Sequence, residues 1–529
     1  MRAAMRSAGR KLAVAVGAAL ASLAPLSPAF ASSGQQYIAI SGSGSSWSSV
    51  ALLQWAQTLR ADGIVINFNP DGSAAGRADY MDQQVDFGAS DPPFRNGTDP
   101  FDASGAEHPQ VGYSYVPDTA GGTAFMYHLN VGGKLITNLR LSGETIMKIF
   151  TGQITNWDNP EITKDYGTQL PNLRIIPVIR ADGSGATYFF TRWMAHEFPA
   201  QWDAFCSRVS HGRVRPPCGQ TEFYPQFPGS VAQNGSNNVA TYITASYGQG
   251  AIGYDEYAYA LNSHYPVVKM LNPAGYYVLP TASNVAVALT QAQIDENSSS
   301  VNYLQQNLDN VYTFKDPRSY PLSSYSYLIV PRTGTKLPAN FTPADGKTLS
   351  TYADYFLCAG QQYSAELGYS PLPLNLVEGG LAQSSKIPGH RPTPSLSSGC
   401  DNPTIKNGKL VVLENAPQPS PCDKAGEPLS CTVVHGKAVS GPASQRAGTS
   451  PSAGASAGAT AAAPAPGASG VSGADPPQGP VTGVVVNVAS ASGNSTVLGT
   501  LTAVEILVVV AVPPAVYALL RRRRSRVPR

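Results

Sequence analysis

The fold is constrained most by a regular alternation of short strand-like runs and amphipathic helical runs between residues 35 and 381. The strand-like runs, such as Gly63–Asn69 and Leu173–Ile179, contain several isoleucine and valine residues, which pack well on a pleated surface. Strands that alternate with helices form a sheet with helices packed on its faces. The sequence therefore predicts an α/β fold for this region.

The N-terminal residues do not continue this alternation. Four basic residues precede the apolar run Leu12–Ala24, and the sequence Ala29-Phe30-Ala31 has the form of a signal-peptidase site. We expect residues 1–31 to be a secretory signal peptide, so that the mature protein is secreted.

Two changes of composition follow the α/β region. Residues 396–439 contain three cysteines and several prolines, and they predict a small cysteine-containing appendage. Residues 440–496 are rich in alanine, glycine, serine and proline, which bury too little apolar surface to offset the entropy of the chain. They predict a disordered stalk.

Residues 497–520 are apolar, and at about 1.5 Å per residue a helix of this length can cross a hydrocarbon core of about 30 Å. Arg521–Arg524 follow, and basic residues remain on the cytoplasmic side. We predict a C-terminal transmembrane helix and a basic cytoplasmic tail, residues 521–529, which would hold the protein at the extracellular face of the cell membrane. Glu505 and the pair Pro513–Pro514 favour the alternative, a helix buried within the fold.

The formal net charge of +2 hides an acidic ectodomain. Ten of the 36 basic residues lie in residues 1–31 and 521–529, but only one of the 34 acidic residues lies outside residues 32–496. Residues 32–496 therefore carry 26 basic and 33 acidic residues, a net charge of −7. Because binding to nucleic acid depends on a broad basic field, we expect no nucleic-acid partner. Any bound anion must be held by local donors.

Six cysteines in a secreted chain predict up to three disulfides. Fifteen pairings are possible if all six pair. Our prediction joins sequence neighbours, namely Cys206–Cys218, Cys358–Cys400 and Cys422–Cys431. Zinc binding is the alternative, but the cysteines lack CxxC spacing and the seven histidines are scattered. We expect neither a metal nor another cofactor.

Three loops rich in glycine and serine, residues 41–47, 71–76 and 180–186, each open a predicted helix. The helices after the second and third loops are predicted over Arg77–Gln83 and Thr187–Met194. Unpaired backbone N–H groups and the helix dipole make such a helix start a seat for an anion, to which serine hydroxyls add donors. A single loop of this kind is more commonly a turn with a helix cap, but three together predict an anion-binding site.

Two charged residues refine the nature of the anion. Arg180, which begins the third loop, can present a planar fork to two oxygens of a tetrahedral oxyanion, although a salt bridge with Asp182 is the alternative. Asp91 ends a predicted strand, and a carboxylate suits an anion site only if the anion itself carries a proton. Monohydrogen phosphate does and sulfate at neutral pH does not, so Asp91 would reject sulfate. Taken alone, Asp91 would more commonly cap a helix.

These segments together resemble the periplasmic phosphate-binding receptors of high-affinity phosphate ABC transporters, which are class II periplasmic binding proteins. The likeness spans Ile38–Val377 and includes Leu141–Asp158, Gly250–Tyr259 and Tyr320–Ser323. It implies a two-lobed α/β fold, within residues 35–395, in which phosphate lies between lobes that close about a hinge. We assign residues 35–118 and 319–395 to one lobe and residues 119–318 to the other.

The resemblance also implies the binding residues. Those that match the phosphate-binding positions of the family are Ser46, Trp47, Ser73, Asp91, Arg180, Ser184, Gly185 and Ala186. In this match Asp91 accepts the proton of phosphate and Arg180 pairs with its oxygens. Ala186 departs from the family, which usually has threonine there, so that either the affinity falls or Thr187 compensates. Trp47 stands where phenylalanine is common and should alter only the wall of the site.

The implied function is that of a receptor, not an enzyme, which delivers inorganic phosphate to the permease of an ABC importer. A surface phosphatase is one alternative, but the sequence has no metal-ligand cluster and no serine in a G-x-S-x-G elbow with a legible order of acid and histidine. The other alternative is a non-transport surface protein that keeps the receptor fold, which the appendage, stalk and anchor would suit.

Overall fold

The computed structural model describes residues 37–440, in which strands and helices alternate. The strands are β1 (Ile40–Gly44), β2 (Ile66–Asn69), β3 (Phe87–Ser90), β4 (Tyr113–Tyr127), β5 (Asn130–Val131), β6 (Lys134–Leu135), β7 (Arg140–Leu141), β8 (Ile176–Arg180), β9 (Val231–Gln233), β10 (Ala251–Glu256), β11 (Lys269–Leu271), β12 (Tyr277–Val278), β13 (Gln293–Ile294), β14 (Gln306–Asn307), β15 (Ser323–Pro331), β16 (Ile405–Lys406), β17 (Lys409–Leu410), β18 (Cys431–Val434) and β19 (Lys437–Ser440). The helices are α1 (Ser49–Arg60), α2 (Ser73–Met81), α3 (Gly143–Phe150), α4 (Pro160–Tyr166), α5 (Gly185–Glu197), α6 (Pro199–Val209), α7 (Gly235–Thr244), α8 (Tyr257–Asn262), α9 (Ala282–Leu289), α10 (Asp309–Tyr312), α11 (Pro343–Leu357), α12 (Leu374–Ser384) and α13 (Val412–Asn415).

Eight strands form one mixed sheet in the order β2-β1-β3-β15-β4-β10-β8-β9. Strand β1 is parallel to β2 and β3, and β8 is parallel to β9 and β10. The long strand β4 joins these two parallel groups, because its residues 113–122 pair with β15 and its residues 123–127 pair with β10, both antiparallel. The predicted α/β architecture with two halves is confirmed, and the chain passes from one half to the other within β4.

The register of these pairs turns the carboxyl ends of both parallel groups toward the centre of β4. Ser90, at the end of β3, is level with Pro117 through their shared partner Tyr327. Glu256, at the end of β10, pairs with Thr123, and β10 runs in the opposite direction to β3. The loops that follow the strands of the two halves therefore face each other across the middle of β4. Open α/β sheets bind their ligands at such carboxyl ends.

We refer to the half with β1–β3 as the first lobe and the half with β8–β10 as the second lobe. The sequence predicts that the chain returns to the first lobe at residue 319, but the contacts of α9 favour an earlier return. Helix α9 packs against β15 and β4, and Asn375 Nδ2 in α12 donates to the carbonyl of Ala292 at 3.0 Å. Residues 282–292 therefore lie against the first lobe, while the division into lobes stays a prediction.

Two of the helices that follow the glycine-serine loops begin earlier than predicted. Helix α2 begins at Ser73 rather than at Arg77, and α5 begins at Gly185 rather than at Thr187. The small residues of each loop form the first helical turn themselves, and the N–H groups of a first turn have no partner within the helix. The loop residues are therefore the donors at the helix start.

The three predicted disulfides, Cys206–Cys218, Cys358–Cys400 and Cys422–Cys431, are all present. The predicted appendage packs along both lobes. Near its start, Asn402 Nδ2 donates to the carbonyl of Leu372, just before α12, at 2.9 Å, and further on Asp423 forms an ion pair of 2.6 Å with a residue of β11 in the second lobe.

The predicted signal peptide, transmembrane helix and cytoplasmic tail lie outside the described residues, as does the predicted stalk except for its first residue, Ser440. Within residues 37–440, no helix has both the length and the apolar composition that crossing a bilayer requires.

Candidate functional site

Loops from both lobes meet where the strand ends converge. In the first lobe, Ser46 follows β1, Ser73 begins α2 after β2, and Asp91 follows β3. In the second lobe, Arg180 ends β8, and residues 184–186 form the start of α5. Residues that are up to 140 positions apart in sequence thus come to one place, because each follows the carboxyl end of a parallel strand.

Asp91 is fully buried and is held by serine hydroxyls of its own lobe. Ser45 Oγ and Ser73 Oγ donate to its carboxylate at 2.8 and 2.9 Å. Gly185 of the second lobe lies directly against it, since a Cβ at this position would be 1.8 Å from Asp91 Oδ2. Burial raises the pKa of Asp91, and hydrogen bonds from serine hydroxyls partly offset this effect. The carboxylate is therefore a buried acceptor with an increased affinity for a proton.

Arg180 is the cationic group of the site, and its side chain is 1% exposed. Its Nη2 donates to Ser46 Oγ of the first lobe at 3.0 Å. The guanidinium also pairs with Asp182 at 2.5 Å and with Asp255 at 3.2 Å. The alternative salt bridge to Asp182 therefore exists together with a contact to Ser46 across the lobes. These two acidic residues offset the positive charge of the guanidinium and fix the orientation of its plane.

The start of α5 contributes Ser184, Gly185 and Ala186. The Ser184 hydroxyl is buried and has no hydrogen-bond partner among the described residues. Ala186 is fully buried, and Thr187 does not replace the hydroxyl that Ala186 lacks, because Thr187 Oγ1 lies 2.8 Å from the hydroxyl of Tyr254. Compensation by Thr187 therefore stays a prediction, and it would require this hydroxyl to bond to the anion as well as to Tyr254.

Trp47 forms part of the wall of the site. Its indole is buried against the rings of Phe189 and Tyr369, with centroids 6.2 and 6.0 Å away. The Tyr369 hydroxyl also donates to the Trp47 carbonyl at 2.6 Å. These contacts hold the backbone of the first loop in place.

Ser236, the second residue of α7, was not predicted from the sequence. Its Oγ lies 3.0 Å from Arg180 Nη1 and 3.1 Å from Ser46 Oγ, so it adds a hydroxyl from the second lobe. A signal was available, because Asn234-Gly235-Ser236 after β9 is a fourth short loop with glycine and serine that opens a helix. Ser45, which holds Asp91, was also missed although it lies within the first predicted loop.

Several buried acidic groups surround these donors. Burial raises the pKa values of Asp118, Asp255 and Glu256 as well as that of Asp91. The carboxyl group of Glu256 lies against Gly121, where a Cβ would be 2.4 Å from Oε2. An environment rich in carboxyl groups favours an anion that carries a proton over one that does not.

Two other observations concern a separate cavity and metal binding. A cavity of about 530 Å³ between α12 and residues 393–408 lies apart from the residues above. Residues 37–440 contain no group of three or more His, Cys, Asp or Glu side chains arranged to hold a metal ion. The arrangement at the strand ends is that of a small site for an oxyanion, with hydroxyl and guanidinium donors and one buried acceptor.

Comparisons with known proteins show similarity to phosphate-binding proteins. The family model of the PBP superfamily domain matches residues 29–359. The phosphate-binding protein PstS of Xylella fastidiosa strain 9a5c is 30% identical over 345 residues, which are 64% of this chain and 83% of that protein. The phosphate-binding protein PstS 3 of Mycobacterium tuberculosis is 29% identical over 317 residues, 59% of this chain and 76% of that protein. A solved phosphate ABC transporter substrate-binding protein from Clostridium perfringens has 20% identity and a TM-score of 0.41, over 63% of this chain and 98% of that chain.

The contact between Gly185 and Asp91 predicts that Gly185→Ala separates the lobes at the site. The added methyl group would lie 1.8 Å from Asp91 Oδ2, so the start of α5 must move away from β3. We expect a longer distance between spin labels at Asp62→Cys and Lys164→Cys, on exposed positions of the two lobes, by pulsed electron paramagnetic resonance. Gly105→Ala, where a Cβ would meet nothing within 4 Å, is the control. An unchanged distance in Gly185→Ala would show that the lobes do not touch there.

The burial of Glu256 predicts a pH-dependent gain in stability for Glu256→Gln. Because burial raises its pKa well above 4.5 in the folded protein, the folded state retains a proton that the unfolded state releases as the pH rises. The free energy of unfolding of the wild type should therefore fall, relative to Glu256→Gln, as the pH rises from 4.5. Urea unfolding at acidic and alkaline pH measures this, with Glu366→Gln at an exposed position as control. A difference that is the same at both pH values would contradict it.

Proposed function

The chain belongs to the PBP superfamily and, within it, to the family of periplasmic phosphate-binding proteins. We propose that it binds inorganic phosphate between its two lobes. The observation that carries the proposal is the direct contact of Arg180 and Ser46 across the lobes, beside the buried acceptor Asp91. Donors from both lobes around one buried acceptor suit a small oxyanion that bears a proton.

Phosphate would enter between Ser46 of the first lobe and Arg180 of the second, in place of their direct hydrogen bond. Its oxygens would accept from the guanidinium, from the hydroxyls of Ser46 and Ser184, and from backbone N–H groups at the starts of α1, α2 and α5. Ser73 would contribute its backbone N–H at the start of α2, because its hydroxyl donates to Asp91. Ser184 supports this role because its buried hydroxyl has no other partner among the described residues. Local hydrogen bonds would then hold the anion, because the acidic ectodomain has no broad positive field to attract it.

Asp91 would supply the specificity. Monohydrogen phosphate can donate its proton to the carboxylate, so that every polar group at the site is paired. Sulfate has no proton to give, and its binding would leave two acceptors facing each other, at a cost of about 1–3 kcal/mol for an unsatisfied buried group and more for the repulsion of like charges. The burial that raises the pKa of Asp91 makes it a better proton acceptor.

We further propose that the closed, loaded protein delivers phosphate to the permease of an ABC importer, and that residues 497–520 tether it to the outer face of the cell membrane. Closure fixes the relative position of the two lobes, which gives a permease one surface to recognise. The tether is supported by the apolar sequence of residues 497–520 and the arginines that follow it. Cells without this chain should take up less labelled phosphate at micromolar supply, and equal uptake would count against delivery.

No observation favours a phosphatase. Ser184 lies in the sequence Gly183-Ser184-Gly185, but its hydroxyl has no hydrogen-bond partner among the described residues, so no base is placed there to activate it as a nucleophile. Phosphatase turnover that is lost in Ser184→Ala would revive this alternative.

The test of phosphate binding is calorimetric titration of the purified full-length protein with phosphate and sulfate. We expect micromolar or tighter phosphate binding, no sulfate binding, and a loss of about 100-fold or more in phosphate affinity for Arg180→Ala, because charge-assisted hydrogen bonds are lost. Asp91→Asn, whose amide can donate, should bind sulfate more tightly than the wild type does. Arg60→Ala, at an exposed position, is the control. Absence of phosphate binding at millimolar concentration would favour a non-transport surface protein.

The tether has a separate test. Deletion of residues 497–529 should move the protein from the membrane fraction to the medium, as detected by immunoblotting of both fractions. A shortened protein that stays in the membrane fraction would mean that another segment holds it there.

A further inference from the structure

A buried ion pair joins the two lobes outside the residues proposed to touch phosphate. Arg77 lies in α2 of the first lobe, and Glu222 lies in the loop between α6 and β9 of the second lobe. Arg77 Nη2 is 2.6 Å from Glu222 Oε1, and the two side chains are 0% and 2% exposed. Because the partners belong to different lobes, this pair can exist only when the lobes are closed.

The first lobe holds Arg77 in position without help from Glu222. Arg77 Nε pairs with Glu107 at 2.8 Å, and its Nη1 donates to Ser90 Oγ at 3.0 Å. Glu107 in turn accepts from the backbone N–H of Arg95 at 2.8 Å. Opening of the lobes would leave these contacts intact, so that the guanidinium remains oriented toward the place that Glu222 occupies.

The residues around Glu222 make a second connection to the first lobe. The backbone N–H of Glu222 donates to Asp99 Oδ2 at 3.0 Å, and Thr221 Oγ1 donates to Asp99 Oδ1 at 2.6 Å. Asp99 lies in the segment between β3 and β4. One acidic residue of the first lobe thus receives two donors from the same loop of the second lobe.

The loop that makes these contacts is connected to the proposed phosphate site. The carbonyl of Glu222 accepts from the backbone N–H of Ser184 at 3.0 Å. The carbonyl of Gly183 accepts from the N–H of Ala74, in α2, at 3.4 Å. The position of the third glycine-serine loop against the first lobe therefore depends on the residue that pairs with Arg77.

We propose that Arg77, Asp99 and Glu222 form an inter-lobe latch that positions the Ser184 loop and increases phosphate affinity by stabilising the closed form, without contact with phosphate. The inference rests on the proposed binding of phosphate between the lobes. A ligand that binds only the closed form has an apparent dissociation constant that is inversely proportional to the closed fraction. Loss of an inter-lobe contact lowers this fraction, whereas the donors to the anion stay the same.

The test uses Glu222→Gln and Asp99→Asn, which keep the size of each side chain and remove its charge. Glu222→Gln replaces an ion pair by a hydrogen bond to a neutral amide, and Asp99→Asn removes the charge of an acceptor of two hydrogen bonds. Because both changes weaken the contact, we expect phosphate affinity to fall by about tenfold in each variant. Preference for phosphate over sulfate should be unchanged, unlike in the variants of Asp91. The exposed Glu366→Gln is the control, and its affinity should equal that of the wild type.

A second measurement separates the latch from phosphate binding itself. In the absence of phosphate, the distance between spin labels at Asp62→Cys and Lys164→Cys should shift toward longer values in Glu222→Gln and Asp99→Asn. This result is expected even if the wild type fails to bind phosphate, in which case the proposed function is wrong and the latch remains. Wild-type affinity and wild-type distances in both variants would overturn the latch, as would a loss of discrimination against sulfate, which would put Glu222 or Asp99 in the binding site.

Discussion

The pairing of strand β4 determines where the loops of the two lobes meet. Eight of its first ten residues pair with β15 and its last five pair with β10, and this register makes the parallel strands of both lobes end near its centre. Backbone N–H groups at helix starts and small polar side chains gather at such ends. The candidate site is thus a consequence of the sheet, and the glycine-serine loops fill a place that the strand register has already defined.

The positive charge of the candidate site is offset by neighbouring acidic residues. Arg180 is paired with Asp182 and Asp255, and the ectodomain is acidic as a whole. Attraction by a broad positive field therefore cannot explain anion binding, and the proposal relies on short hydrogen bonds from hydroxyl, guanidinium and backbone groups. Because hydrogen bonds from both lobes would contribute to binding, the affinity depends on how stably the two lobes are held together. Contacts between the lobes outside the site should therefore affect the affinity.

Sequence alone identified the parts of the site that local chemistry defines. The helix-opening loops, Asp91 and Arg180 carry their signals within a few residues, whereas Ser46 and Ser73 were predicted from the resemblance to phosphate-binding receptors. Ser236 was missed although its own loop has the same composition, because only the fold brings β9 beside β8. The ion pair of Arg77 and Glu222 could not be predicted, since the two residues are 145 positions apart and nothing in either neighbourhood indicates the other. The packing of α9 against β15 and β4 likewise has no signal in the local sequence.

The most direct test of the central claim is a crystal structure of the protein grown with arsenate, which has the shape and protonation of phosphate and whose arsenic atom scatters X-rays anomalously. We expect one strong anomalous peak between the lobes. The arsenate oxygens should lie within hydrogen-bond distance of the Arg180 guanidinium, the Ser46 hydroxyl and the Asp91 carboxylate. A structure in which arsenate is absent from this place, or is bound at another position, would contradict it.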